Sequence, residues 1–117
     1  MATGTIKANI PYPISALKNA TVSPTDSNTG VSFTAPTKCI VSVTAYHSYG
    51  VSAPKSVSIK NGTTTVSHVS IDAGSGTSKT TSYSGQLSEG DVLSVWASTV
   101  SGSGSSLIRL TGFYIPI

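Results

Sequence analysis

The sequence predicts an all-β fold, an antiparallel β-sandwich closed as a jelly roll, and three observations carry that expectation. No stretch spaces its apolar residues at i, i+3, i+4 and i+7, as a helix burying one face requires. Val, Ile and Leu instead alternate with Ser and Thr in short runs, the period of a strand with one buried face. Turn residues interrupt these runs about every ten positions, giving seven or eight short strands, and a two-sheet sandwich is the usual way to bury that many one-sided strands.

In chain order, residues 1–30 hold three of the six prolines, with Pro11 and Pro13 bracketing Tyr12 and a turn at Asp26–Gly30. Proline cannot donate to a ladder, so this segment is expected to be an extended N-terminal arm followed by edge structure, with the sandwich domain spanning residues 31–117. Val31–Phe33 reads as a strand, Ala35–Lys38 as a turn and Ile40–Tyr46 as a strand whose Val41, Val43 and Ala45 face the core. His47–Pro54 is expected to be a loop. Asn61-Gly62 then separates Val57–Lys60 from Thr63–Val66, and both residues tolerate the positive φ of a type I′ turn, which would pair Lys60 with Thr63 and Val57 with Val66. Lys79–Gly85 forms a further strand. The chain ends in an expected closing hairpin, in which Leu93, Val95 and Ala97 share one face of the first strand while Val92, Ser94, Trp96 and Ser98 share the other.

Composition narrows the function classes. A chain of 117 residues suits one core. Only 9% of residues are charged while 38 are Ser or Thr, so hydroxyls carry the solubility. The seven basic residues, Lys7, Lys18, Lys38, Lys55, Lys60, Lys79 and Arg109, are scattered, and a net charge of +3 without a basic stripe argues against a nucleic-acid partner. The lone Cys39 excludes an intrachain disulfide and any multi-thiol metal site. The N-terminus lacks the apolar core of a secretory signal and no run reaches 18 apolar residues, which predicts synthesis in the cytoplasm and no membrane insertion. Two glycosylation triplets, at Asn19 and Asn61, are read as chance in so Ser/Thr-rich a chain.

Two separated segments carry a family resemblance. Phe33-Thr-Ala-Pro36 before an alternating strand, and Gly90-Asp91 opening a strand that is followed by Thr111-Gly-Phe-Tyr-Ile115, resemble in order the opening and closing motifs of the complement-head and tumour necrosis factor superfamily of jelly rolls. Cys39 departs from the pattern, standing where that family often has glycine after the turn. The resemblance implies a homotrimer with the first and last strands adjacent in one sheet. It assigns the threefold contact to the outward side of the closing hairpin, with Trp96 foremost and Tyr114 beside it, because the alternation turns Trp96 away from the core. The Ser/Thr/Gly-rich composition and the Gly-Thr-Ile-Lys arm are similar in style to small head-fibre, tail-fibre and decoration proteins of bacteriophages. That similarity implies a place on the virion surface, made in the bacterial host and anchored to other virion proteins through the arm.

Catalytic chemistry finds little purchase. His47 and His68 lie in different elements and are read as solvent histidines, and the only acids are Asp26, Asp72, Glu89 and Asp91. No Gly-x-Ser-x-Gly elbow and no phosphate-cradling Gly-Lys loop occurs. The expectation is a non-enzymatic protein with no cofactor and no metal. Asp91 is assigned to capping its own turn, and Cys39 to packing as a reduced thiol. Tyr46 and Tyr49 are the rings assigned to a host cell-surface glycan in the alternative reading, a receptor-recognition module at a fibre tip; subunit or core packing is the other reading for both.

Overall fold

The structure is a computed structural model describing residues 7–48, 53–70 and 78–117. Among the described residues eight strands follow one another: β1 (Tyr12–Val22), β2 (Ser27–Thr34), β3 (Cys39–Ser48), β4 (Pro54–Asn61), β5 (Thr64–Ser70), β6 (Ser78–Leu87), β7 (Val92–Thr99) and β8 (Gly104–Pro116). They form two antiparallel four-stranded sheets, ordered β1-β8-β3-β6 and β2-β7-β4-β5, packed face to face as a β-sandwich. The alternation read from the sequence is the cause. Val41, Val43 and Ala45 from one sheet and Val57, Ile59, Leu93, Val95 and Ala97 from the other are almost wholly excluded from solvent, with Ile108 and Leu110 beside them. Each buried Val, Leu or Ile among them contributes about 1.5–3 kcal/mol.

The pairing scheme is that of a long two-stranded ribbon: β1 with β8, β2 with β7, β3 with β6 and β4 with β5. Rolling the ribbon adds β3·β8 and β4·β7. Three expectations change as a result. Strands β7 and β8 do not pair with each other and belong to different sheets, so the closing hairpin is a crossover between layers. The β1 strand is an eleven-residue edge of the sandwich, and the boundary expected at residue 30 falls inside β2. In the β4–β5 hairpin Asn61 pairs with Thr64, which leaves Gly62-Thr63 as the loop. Gly62 has φ +61° and Thr63 is not left-handed, the φ pattern of a type II′ turn with glycine in its first central position, and Asn61 is not left-handed either, which rules out a type I′ turn at Asn61-Gly62. The register shift between Ile59 and Lys60 leaves Val66 as the extra residue, so that Val57 meets Val69 across the ladder rather than Val66.

Gly112 is a point of close backbone approach between strands. It lies between Ile14 of β1 and Val43 of β3 with φ +152°, and a Cβ there would run into the Ser42 carbonyl oxygen and lie 2.8 Å from Val43 Cα.

Candidate functional site

The ladders fix which residues share each surface, and the two outer faces differ in chemistry. On the β2-β7-β4-β5 sheet, one cross-strand row reads Asn28, Trp96, Ser58, His68, and the next reads Ser32, Ser94, Lys60, Thr65. Trp96 is half-buried, its indole N–H donates to Ser94 Oγ at 3.1 Å, and Lys60 Nζ stands 3.7 Å from its ring centroid. The ring therefore has a polar edge and a cation supplied by its own sheet, which reduces the need for an outside partner inferred from its orientation alone. Ser58 Oγ and His68 Nδ1 are 2.6 Å apart, and Asn28 Oδ1 accepts from the Gly30 N–H at 2.9 Å. Nothing in the sequence groups Lys60, Ser58 and Asn28 with Trp96, and His68 reads there only as a solvent histidine, because membership of one face depends on strand order, which local alternation does not report.

On the β1-β8-β3-β6 sheet the outward rows are Pro13, Phe113, Ser42, Ser84, flanked by Ile115, Ile40, Gln86 on one side and by Ser15, Thr111, Thr44, Ser82 on the other. Leu17, Arg109, Tyr46 and Thr80 form a further row. Phe113 is 41% exposed and Ile40 44%, and with Pro13 and Ile115 beside them they form an apolar strip on a surface otherwise rich in hydroxyls; Leu17, 64% exposed, stands apart from it beyond the Ser15, Thr111, Thr44, Ser82 row. Parity counted from the buried Ile108 and Leu110 turns Phe113 outward, a signal present in the sequence.

Tyr114 consequently points inward. Its ring lies 5.3 Å from Tyr12 and 5.3 Å from Phe33 of the opposite sheet, at the end of the core, and burial raises its phenol above the ordinary value. Trp96 and Tyr114 are in different sheets, one facing out and the other in, so they do not form one continuous contact surface within a protomer. Tyr46 is half-buried on the outer face of β3 with the Arg109 guanidinium 4.4 Å from its ring centroid. A hydrogen bond with Ser48 draws its phenol below the ordinary value, with smaller help from Ser78 and Arg109. Tyr49 lies outside the described residues.

His47, expected to be solvated in a loop, is the ninth residue of β3 and has no solvent exposure. The strand runs on to Ser48, and inward parity carries the imidazole between the sheets. Its Nδ1–H donates to the Ser56 carbonyl at 3.1 Å, while Nε2 has no protein partner among the described residues; burial lowers its pKa. Cys39 is buried and free, and burial foremost, with Asp91 second, pushes its thiol up. Asp91 Oδ2 accepts from the Ser88 N–H at 3.0 Å, the turn contact expected of it. Among the described residues there is no enclosed pocket and no cluster of three metal-ligating side chains.

Comparison with family models, with curated proteins and with solved structures finds no match.

Proposed function

We propose that this chain is a non-enzymatic structural module of a bacteriophage particle, a decoration or fibre component that works as a homotrimer. The observation that carries the reading is the apolar strip of Phe113, Ile40, Ile115 and Pro13 on the β1-β8-β3-β6 sheet, the sheet in which the first and last strands are adjacent. Exposed apolar surface concentrated on one face of a hydroxyl-coated protein favours association. Four strands at about 4.8 Å spacing and about ten residues of length present roughly 600 Å², near the share one partner contributes to a stable interface. The ribbon pairing of β1·β8, β2·β7, β3·β6 and β4·β5 supports the jelly-roll reading, and with it the resemblance from which the threefold symmetry is taken. Residues 7–11 are exposed and touch the sandwich through the Asn9 N–H on the Pro116 carbonyl at 2.9 Å and the Lys7 N–H on the Tyr12 hydroxyl at 3.0 Å, and an exposed segment held this lightly suits an arm anchored to another virion protein.

Light scattering on the purified protein tests the reading. The expected mass is three times the 11.9 kDa of one chain, and Phe113→Glu, an exposed substitution that spares the core, should dissociate it. A monomer at micromolar concentration, or an assembly indifferent to both Phe113→Glu and Ile40→Asp, overturns the proposed interface.

A further inference from the structure

The opposite face of the sandwich has a composition that self-association does not use. Strands β2, β7, β4 and β5 contain no Asp or Glu, yet they carry Lys55, Lys60 and His68. Three side chains with hydrogen-bond donors to offer share this face with Trp96: Lys60 on its ring, Asn28 one strand to one side and His68 two strands to the other. Asn28 is exposed with its oxygen held by the Gly30 N–H, which leaves the amide nitrogen free to point outward. His68 is exposed with Nδ1 engaged by Ser58, which leaves Nε2 for a ligand. Lys60 rests on the ring. An exposed cation–π contact is worth about 0.5–1 kcal/mol, so the ammonium can leave the indole for a carboxylate at little cost.

We propose that this face binds an acidic saccharide, a carboxylated sugar whose apolar C–H side lies on Trp96, whose carboxylate takes Lys60 and whose hydroxyls are held by Asn28 and His68. The cross-strand row Asn28, Trp96, Ser58, His68 spans three inter-strand steps, about 14 Å, enough for two or three sugar units in line. The ligand is a sugar acid rather than a single-stranded nucleic acid because one ammonium beside the aromatic matches one carboxylate. A phosphate backbone is held by several clustered cations, which this face lacks. The proposal is independent of the trimer, whose apolar strip lies on the other sheet.

Trp96 is the chain's only tryptophan, so its fluorescence reports this face alone. Oligogalacturonate titrated into the full-length protein should shift the emission and saturate at ~millimolar concentration or below, and Lys60→Gln should weaken binding about tenfold, equivalent to about 1.4 kcal/mol. Trp96→Ala, followed by calorimetry because the fluorophore is gone, should weaken it at least as much, while Phe113→Glu should leave it unchanged even where it dissociates the trimer. The proposal is overturned by an emission that does not respond, by equal affinity for the methyl-esterified oligomer, or by affinity unaltered in Lys60→Gln. Tighter binding of a single-stranded oligothymidylate than of the uronate also overturns it, in favour of a nucleic-acid face.

Discussion

Gly112→Ala should be among the most damaging single-methyl changes in this protein. The added Cβ would meet backbone on β3, namely the Ser42 carbonyl oxygen, Val43 Cα at 2.8 Å and Ser42 C at 2.9 Å. Backbone cannot swing aside as a long side chain can. Strand β8 is also held on both flanks, because Gly112 is in register with Ile14 and with Val43, so relief requires parting a ladder. Overpacking of this kind costs about 1–3 kcal/mol, and holding alanine at φ +152° adds about 1–3 kcal/mol of strain. Reduced freedom of the unfolded chain returns about 0.4–1 kcal/mol. The net is about 3 kcal/mol, a large share of the 5–15 kcal/mol of a typical domain. In urea, with a slope of about 1–3 kcal/mol per molar, the midpoint should fall by about 1–3 M at unchanged slope. Gly62→Ala provides the internal control, since it shares a positive φ of +61° but has no atom within 4 Å of the added carbon, and should cost about 1 kcal/mol. If the two substitutions cost the same, or Gly112→Ala changes stability by less than about 0.5 kcal/mol, the backbone clash is not what selects glycine at this position.

Three further outcomes are expected. His47 has a folded-state pKa held below its ordinary value by burial, so the unfolded chain binds its proton more readily. Its contribution to stability is full above the ordinary value of 6.5 and declines as pH falls below it, at up to about 1.36 kcal/mol per pH unit until the folded-state pKa is reached. Thermal melts between pH 8 and 5 of the protein and of His47→Gln check this, and parallel curves for the two would refute it. Cys39 should resist a bulky thiol reagent under native conditions, because it is buried and its raised pKa leaves little thiolate, and should react at once in denaturant; Cys39→Ser should cost about 1–3 kcal/mol by placing a hydroxyl in an apolar site. Asp91→Ala should lose about 1–2 kcal/mol by freeing the Ser88 N–H, measurable by the same urea titration, whereas an unchanged midpoint would mean that solvent replaces the carboxylate without loss.

The contrast between what could be read in advance and what could not follows the range of the interactions. Alternation is local, so the sequence alone identified the inward sides of β3 and β7, where Val41, Val43, Leu93 and Val95 are buried as expected. It also located the turn acceptor Asp91, whose partner is three residues away. The Asn61-Gly62 signal placed a hairpin correctly but set its loop one residue early, which moves the partner of Lys60 by two residues, and the bulge at Val66 makes the error three at Val57, which meets Val69; both depend on the sheet as a whole. His47 was misplaced for a related reason: its imidazole looks like a loop residue until β3 is seen to continue to Ser48, and a buried carbonyl on β4 supplies the hydrogen bond that permits its burial. Strand order lies furthest from the sequence. The nearness of Trp96 and Tyr114 in the chain suggested one shared surface, yet β7 and β8 cross between layers, and only tertiary structure could bring Trp96 together with Asn28, Ser58, Lys60 and His68. Which side of a strand is apolar is written into neighbouring residues. Which strands lie side by side is decided by contacts between residues tens of positions apart, where burial of the whole sheet selects the partner.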